Sequence, residues 1–139
     1  MIGSPEPETK LPVALLALRV GVFIVMIVWT LDKFVNPVHA ARVFDSFYGL
    51  AGLGTPVIYA IGAIQLVFVI GFLAGVARRW TYGAVLLMHT VSTLASWPKY
   101  IQPFEGGNLL FFAAWPMLAA CVALYVLRDE DRLLSLKTP

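Results

Sequence analysis

ALRVGVFIVMIVWTLDKF, residues 17–34, is apolar enough to lie in lipid, yet Arg19 sits within it. Arginine stays charged at every physiological pH, and at the centre of a membrane helix it costs on the order of 2.5–3.5 kcal/mol on insertion scales. Such a residue is expected to face the protein interior and to find partners there. The rest of the chain asks what those partners are.

Outward from this stretch the sequence is apolar throughout. Hydrophobic residues make up 60% and charged residues 13% of 139 residues, and the mean hydropathy is +0.82. Soluble domains carry about 25% charge. Four apolar runs are evident, at residues 11–31, 56–77, 80–96 and 109–127. Each has roughly the length needed to cross a hydrocarbon core of about 30 Å. The first is too long for a signal-peptide core, and no small-residue cleavage site follows it, so it is read as a retained helix. The expected fold is an all-α membrane protein. Residues 11–127 form a four-transmembrane-helix bundle, residues 1–10 an unstructured N-terminus and residues 128–139 a tail.

Four spans put both termini on one side. That side holds Lys10, Arg78, Arg79, Arg128, Arg132 and Lys137; the other holds Lys33, Arg42 and Lys99. The positive-inside rule then makes both termini of this multi-pass protein cytoplasmic. Trp29, Trp80 and Trp97 near the helix ends suit an interfacial aromatic belt. The long external loop contains NPVHAARVFDSFYG, residues 36–49. It reads as a short amphipathic helix, with Asn36 as N-cap, Pro37 in the first turn and Gly49 as the stop. Val38, Ala41, Phe44, Phe47 and Tyr48 form its apolar face. In PFEGGN, residues 103–108, Asn108 is the expected cap of the fourth helix.

Counted inward from the basic residues at the helix ends, Arg19 lies about 13 Å deep, His89 about 15 Å and Gln65 about 19 Å. Three helices thus bring polar side chains to one level. None of the spans contains an Asp or Glu, so Arg19 has no carboxylate within the apolar runs. The remaining partners are Gln65, His89, backbone carbonyls such as that of Phe112, freed by Pro116, water, or a bound molecule. The candidate ligand-binding set is Arg19, Gln65, His89, Thr93 and Lys33, with His89 as the candidate catalytic group. A quinone head or a lipid phosphate would suit the unmatched cation. Gly71 and Gly75 have the GxxxG spacing that permits close helix approach. No metal site is expected: His39 and His89, the two histidines, lie far apart in the sequence. The lone Cys121 reads as a packing residue, and no basic cluster suggests nucleic acid.

These residues resemble the DoxX family of small bacterial inner-membrane proteins. The resemblance rests on Arg19 followed by Gly21, on LDKF ending at Phe34, on the GAIQ segment leading to Gly71, Gly75 and Arg78, and on EGGNLLFFAAWPMLAAC, residues 105–121. It implies a four-helix bundle. It also implies an accessory or redox-associated role, since some members are subunits of thiosulfate:quinone oxidoreductase, and hence a membrane lipid, a quinone, a redox protein or a second copy as partner. The family commonly has a glutamate where this chain has Gln65. An amide can orient a ligand but cannot serve as a general base, which turns the reading away from a stand-alone enzyme. The alternatives are a small membrane enzyme using His89, or a structural, assembly or transport component.

Overall fold

A computed structural model describes residues 7–136, with side chains from Lys10 onward. Of the N-terminus expected to be unstructured, residues 1–6 lie outside these residues, as does Lys137, whereas residues 7–10 are helical and open α1. The described chain is all-helical, 80% helix without strands. Four long helices are α1 (Pro7–Val35), α3 (Thr55–Ala74), α4 (Arg78–Ala95) and α6 (Ala114–Val126). The short helices are α2 (Pro37–Tyr48) and α5 (Trp97–Tyr100), with 3-10 turns at Asn108–Ala113 and Arg128–Glu130. The long helices close a ring: α1 packs on α3, α3 on α4, α4 on α6, and α6 back on α1.

Three segments are long and apolar enough to cross a membrane: Lys10–Val35, Thr55–Ala74 and Asn108–Val126. The third combines the 3-10 turn with α6. Helix α4 falls short of that composition because it opens with Arg78 and Arg79 and carries Thr81, Tyr82, His89 and Thr93 along its length. The last four are buried, so beyond its first turn its polarity faces the ring.

Helix–helix contact in lipid relies on close packing more than on hydrophobic burial. A Cβ added at Gly62 would meet Lys33 and the Phe34 ring at 3.0–3.1 Å, and one at Gly71 would meet Thr81 Cγ2 at 2.8 Å. Gly71 therefore makes the close approach that its spacing implied. Gly75 has another task. Helix α3 stops at Ala74, three residues before the expected end, and Gly75 caps it with φ +72°. Its N–H bonds the Phe72 carbonyl, and the N–H of Val76 bonds that of Gly71.

Helix α2 forms as its capping residues require. The Asn36 side chain accepts from the His39 N–H, and Gly49 takes φ +68°. Its inner face differs from the expected one: Val38 is 65% exposed, while Ala40 is buried and lines the side toward α1 with Val43 and Phe44. Asn108 is not a cap. It opens the 3-10 turn itself, so its amide is free to donate to the Gln102 carbonyl at 2.9 Å and tie the loop together.

Replacing Gly71 by Ala is expected to lower stability by about 1–3 kcal/mol through overpacking, read as unfolding in detergent. Adding Thr81→Ser removes the clashing methyl but keeps the hydroxyl bond to Val76, and should recover most of the loss. Strictly additive losses would show that this contact does not limit α3–α4 packing.

Candidate functional site

The buried polar side chains fall into three groups rather than one. Gly62 packs on Lys33 and Phe34, and Gly75 packs on Arg19, so α1 and α3 run antiparallel with Arg19 level with the α3–α4 turn. Helix α1 begins at Pro7 and has 29 residues against 20 for α3. Its N-terminal third overhangs the turn by about 18 Å. Depth counted from Lys10 therefore placed Arg19 too far into the bundle. Gln65 and His89 remain near one level, about 15 Å along the axis from Arg19.

The first group surrounds Arg19, which is 1% exposed. Its counter-ion comes from the tail. Beyond α6 the chain turns back and places Asp131, 0% exposed, with Oδ2 3.6 Å from Arg19 Nε. Arg19 Nη2 donates to the carbonyls of Leu133 and Leu134. The Tyr82 hydroxyl donates to the same Asp131 Oδ2 at 2.5 Å. Arg19 Nε and Nη1 and Asp131 Oδ1 have no hydrogen-bond partner among the described residues. Beside them Arg78 donates through Nε to Gly75 O at 3.2 Å, through Nη1 to Arg128 O at 3.0 Å and through Nη2 to Ser135 Oγ at 2.7 Å. Neither Gln65 nor His89 touches Arg19, and the Phe112 carbonyl is not its partner.

The second group is at mid-bundle. His89 Nε2 lies 2.9 Å from the Ala114 carbonyl, which can only accept, so Nε2 carries the proton and cross-links α4 to α6. Thr93 Oγ1 donates to the His89 carbonyl at 2.7 Å and lies 3.3 Å from Nε2. The Tyr100 hydroxyl donates to the Thr93 carbonyl at 2.8 Å. Burial holds the Tyr100 phenol above its ordinary pKa, so it stays a donor. Gln65 is half-buried, and its amide makes no hydrogen bond to the described residues.

The third group lies at the opposite end of α1 from Arg19. Trp29, Asp32, Lys33, Ala40, Val43 and Phe44 line a shallow crevice of about 20 Å³ between α1 and α2. Lys33 is 9% exposed. Its Nζ donates to the Trp29 carbonyl at 3.3 Å and stands 5.8 Å from the centre of the Phe44 ring. Asp32, its neighbour, is engaged instead by His39 Nδ1 at 2.6 Å. Among the described residues Lys33 has no carboxylate within ion-pair distance.

Sequence reading missed Asp131, Tyr82, Arg78 and Ser135. Tyr82 was within reach, since it lies seven residues before His89 on the same stripe of α4. Asp131 sits in the charged run RDEDR, residues 128–132, where an acid ordinarily reads as solvated. Among the described residues no three His, Cys, Asp or Glu side chains gather as metal ligands would.

Removing one partner of a buried pair strands the other charge and costs about 3–5 kcal/mol, whereas replacing both with apolar groups is often near neutral. Asp131→Asn and Arg19→Gln should each destabilise the protein on that scale in thermal unfolding, and Arg19→Met with Asp131→Leu should restore most of it. Tyr82→Phe should lose about 1–2 kcal/mol. An unchanged melting temperature in Asp131→Asn would mean that the tail does not neutralise Arg19. No family model, curated protein or solved structure matches the chain.

Proposed function

We propose that this chain is a four-helix protein of a bacterial inner membrane with cytoplasmic termini. It serves as an accessory, redox-associated subunit of the DoxX type. It takes the polar head of a quinone- or lipid-like molecule at the crevice beside Lys33. The observation that carries the reading is Lys33 itself: a buried ammonium, opening on a crevice, whose adjacent carboxylate is committed to His39. A cation in that position gains from a carbonyl or anionic acceptor.

The crevice is small, about 20 Å³, which is room for about one water. It therefore admits a single acceptor atom, such as one quinone carbonyl or headgroup oxygen, with the rest of the molecule left outside along α1, where Val25, Val28 and Trp29 are exposed. The buried polar stripe of α4 supports a fourth span, since a polar face turned into the ring leaves an apolar one outward. The basic residues at the end that holds Arg78, Arg79, Arg128 and Arg132 support cytoplasmic termini. His89 works here as a cross-link between helices, with its Nε2 engaged by the Ala114 carbonyl.

A water-soluble quinone analogue should quench the fluorescence of Trp29 in protein held in nanodiscs, and the quenching should saturate. Lys33→Met should weaken that binding by about tenfold or more, the scale of one hydrogen bond to a charged group. Equal saturable quenching in both forms would refute the Lys33 seat. Unsaturable quenching in wild type would refute the ligand class.

A further inference from the structure

We infer that Arg19 and Arg78 form a seat for a phosphate-bearing anion, and that residues 131–135 are a strap that fills this seat from within and yields it to the anion. The two guanidinium groups converge on the same short segment. Arg19 Nη2 holds the carbonyls of Leu133 and Leu134, and Arg78 Nη2 holds the hydroxyl of Ser135 at 2.7 Å. Gly75 lets them meet: a Cβ there would lie 3.0 Å from Arg19 Nη1 and 2.3 Å from Ser135 Oγ.

The strap is an incomplete ligand for this seat. It brings one carboxylate to two cations. That carboxylate stands 3.6 Å from Arg19 Nε and gives its near oxygen to Tyr82. Two of the three nitrogens of Arg19 make no hydrogen bond, although the side chain is almost wholly buried. Such donors are expensive to leave unmet. A phosphate offers several acceptor oxygens, which match the forked donors of two arginines better than neutral carbonyls do.

The strap is also lightly held. Leu134 is 84% and Leu136 66% exposed, so its leucines add little burial. Leu134 has φ +46°, a left-handed backbone that a leucine adopts at a cost. Leu133, Leu134 and Ser135 are held through polar contacts to Arg19, Arg78 and Gly75 that an anion can replace, and Leu136 adds a backbone bond to the Ala74 carbonyl at 2.8 Å. The phosphate group can come from a lipid headgroup or from a soluble phosphate.

The test follows the strap in the full-length chain. A nitroxide is attached at Leu134→Cys, where it is exposed, while Cys121 is buried and stays unlabelled. Its mobility is read in nanodiscs of phosphatidylcholine alone, with phosphatidylglycerol added, and with millimolar inorganic phosphate added to phosphatidylcholine. Release by phosphatidylglycerol alone supports the seat and assigns it to a headgroup; release by inorganic phosphate supports it and assigns a soluble anion. A strap that stays equally immobile in all three overturns the proposal. Arg78→Gln, a half-buried position whose loss leaves the Arg19–Asp131 pair intact, should abolish the anion response. An undiminished response in that variant would overturn the seat as well, because general surface charge would then be the cause.

Discussion

A guanidinium that cannot lose its charge has to be neutralised wherever the helix carries it, and the Arg19 end of this molecule is arranged around that demand. Burial makes the charge expensive, and the apolar runs hold no acid to meet it. The acid that meets it follows α6: the chain turns at Leu127 and carries Asp131 back against α1. Once Asp131 is buried it needs a donor of its own, and Tyr82 supplies one from α4. The backbone of the returning segment then lies against the α3–α4 turn. That turn must be narrow there, and Gly75 is the residue that permits it. One charge on α1 thus fixes a tail, a tyrosine and a glycine on three other elements.

Helix α4 shows why composition alone misjudges a helix in a bundle. Its 18 residues match a membrane span in length but are too polar to qualify beside the other three. Beyond Arg78 and Arg79 the polarity is one-sided. Thr81, Tyr82, His89 and Thr93 are buried, while Trp80, Leu87, Val91 and Leu94 are exposed. Average hydropathy adds the two faces together, whereas the surroundings meet only one of them. Where contact between helices gains little from burial, hydrogen bonds such as His89 to Ala114 and Tyr48 to Ser92 supply fixed points.

Features that depend on near neighbours in the chain could be read from sequence. The long helices followed from run length, and α2 followed from Asn36, Pro37 and Gly49, because a cap acts within a few residues of itself. The close approach at Gly71 was also readable from spacing. The tail was not. Asp131 pairs with a residue 112 positions earlier, and no local rule links an acid in a charged run to an arginine in an apolar helix. What could be read was the demand, an arginine without a carboxylate in the spans, but not its solution. The supposed common level of Arg19 with Gln65 and His89 failed for a related reason. It assumed that all helices enter the bundle together, and α1 overhangs α3.

Helix α1 carries two buried cations, and they are met in different ways. Arg19 receives a carboxylate and two carbonyls from the folded-back tail, although two of its nitrogens make no hydrogen bond among the described residues. Lys33 stands beside an acid that could have paired with it, yet Asp32 turns to His39. Lys33 is left with one carbonyl, an aromatic ring and a crevice. Lysine suits that position better than arginine would. Its compact ammonium can turn its three donors toward whatever enters, whereas a guanidinium needs its acceptors in a fixed plane. The two ends of the helix thus differ in what meets the cation: a folded-back tail at Arg19, and at Lys33 a crevice left open to an acceptor from outside.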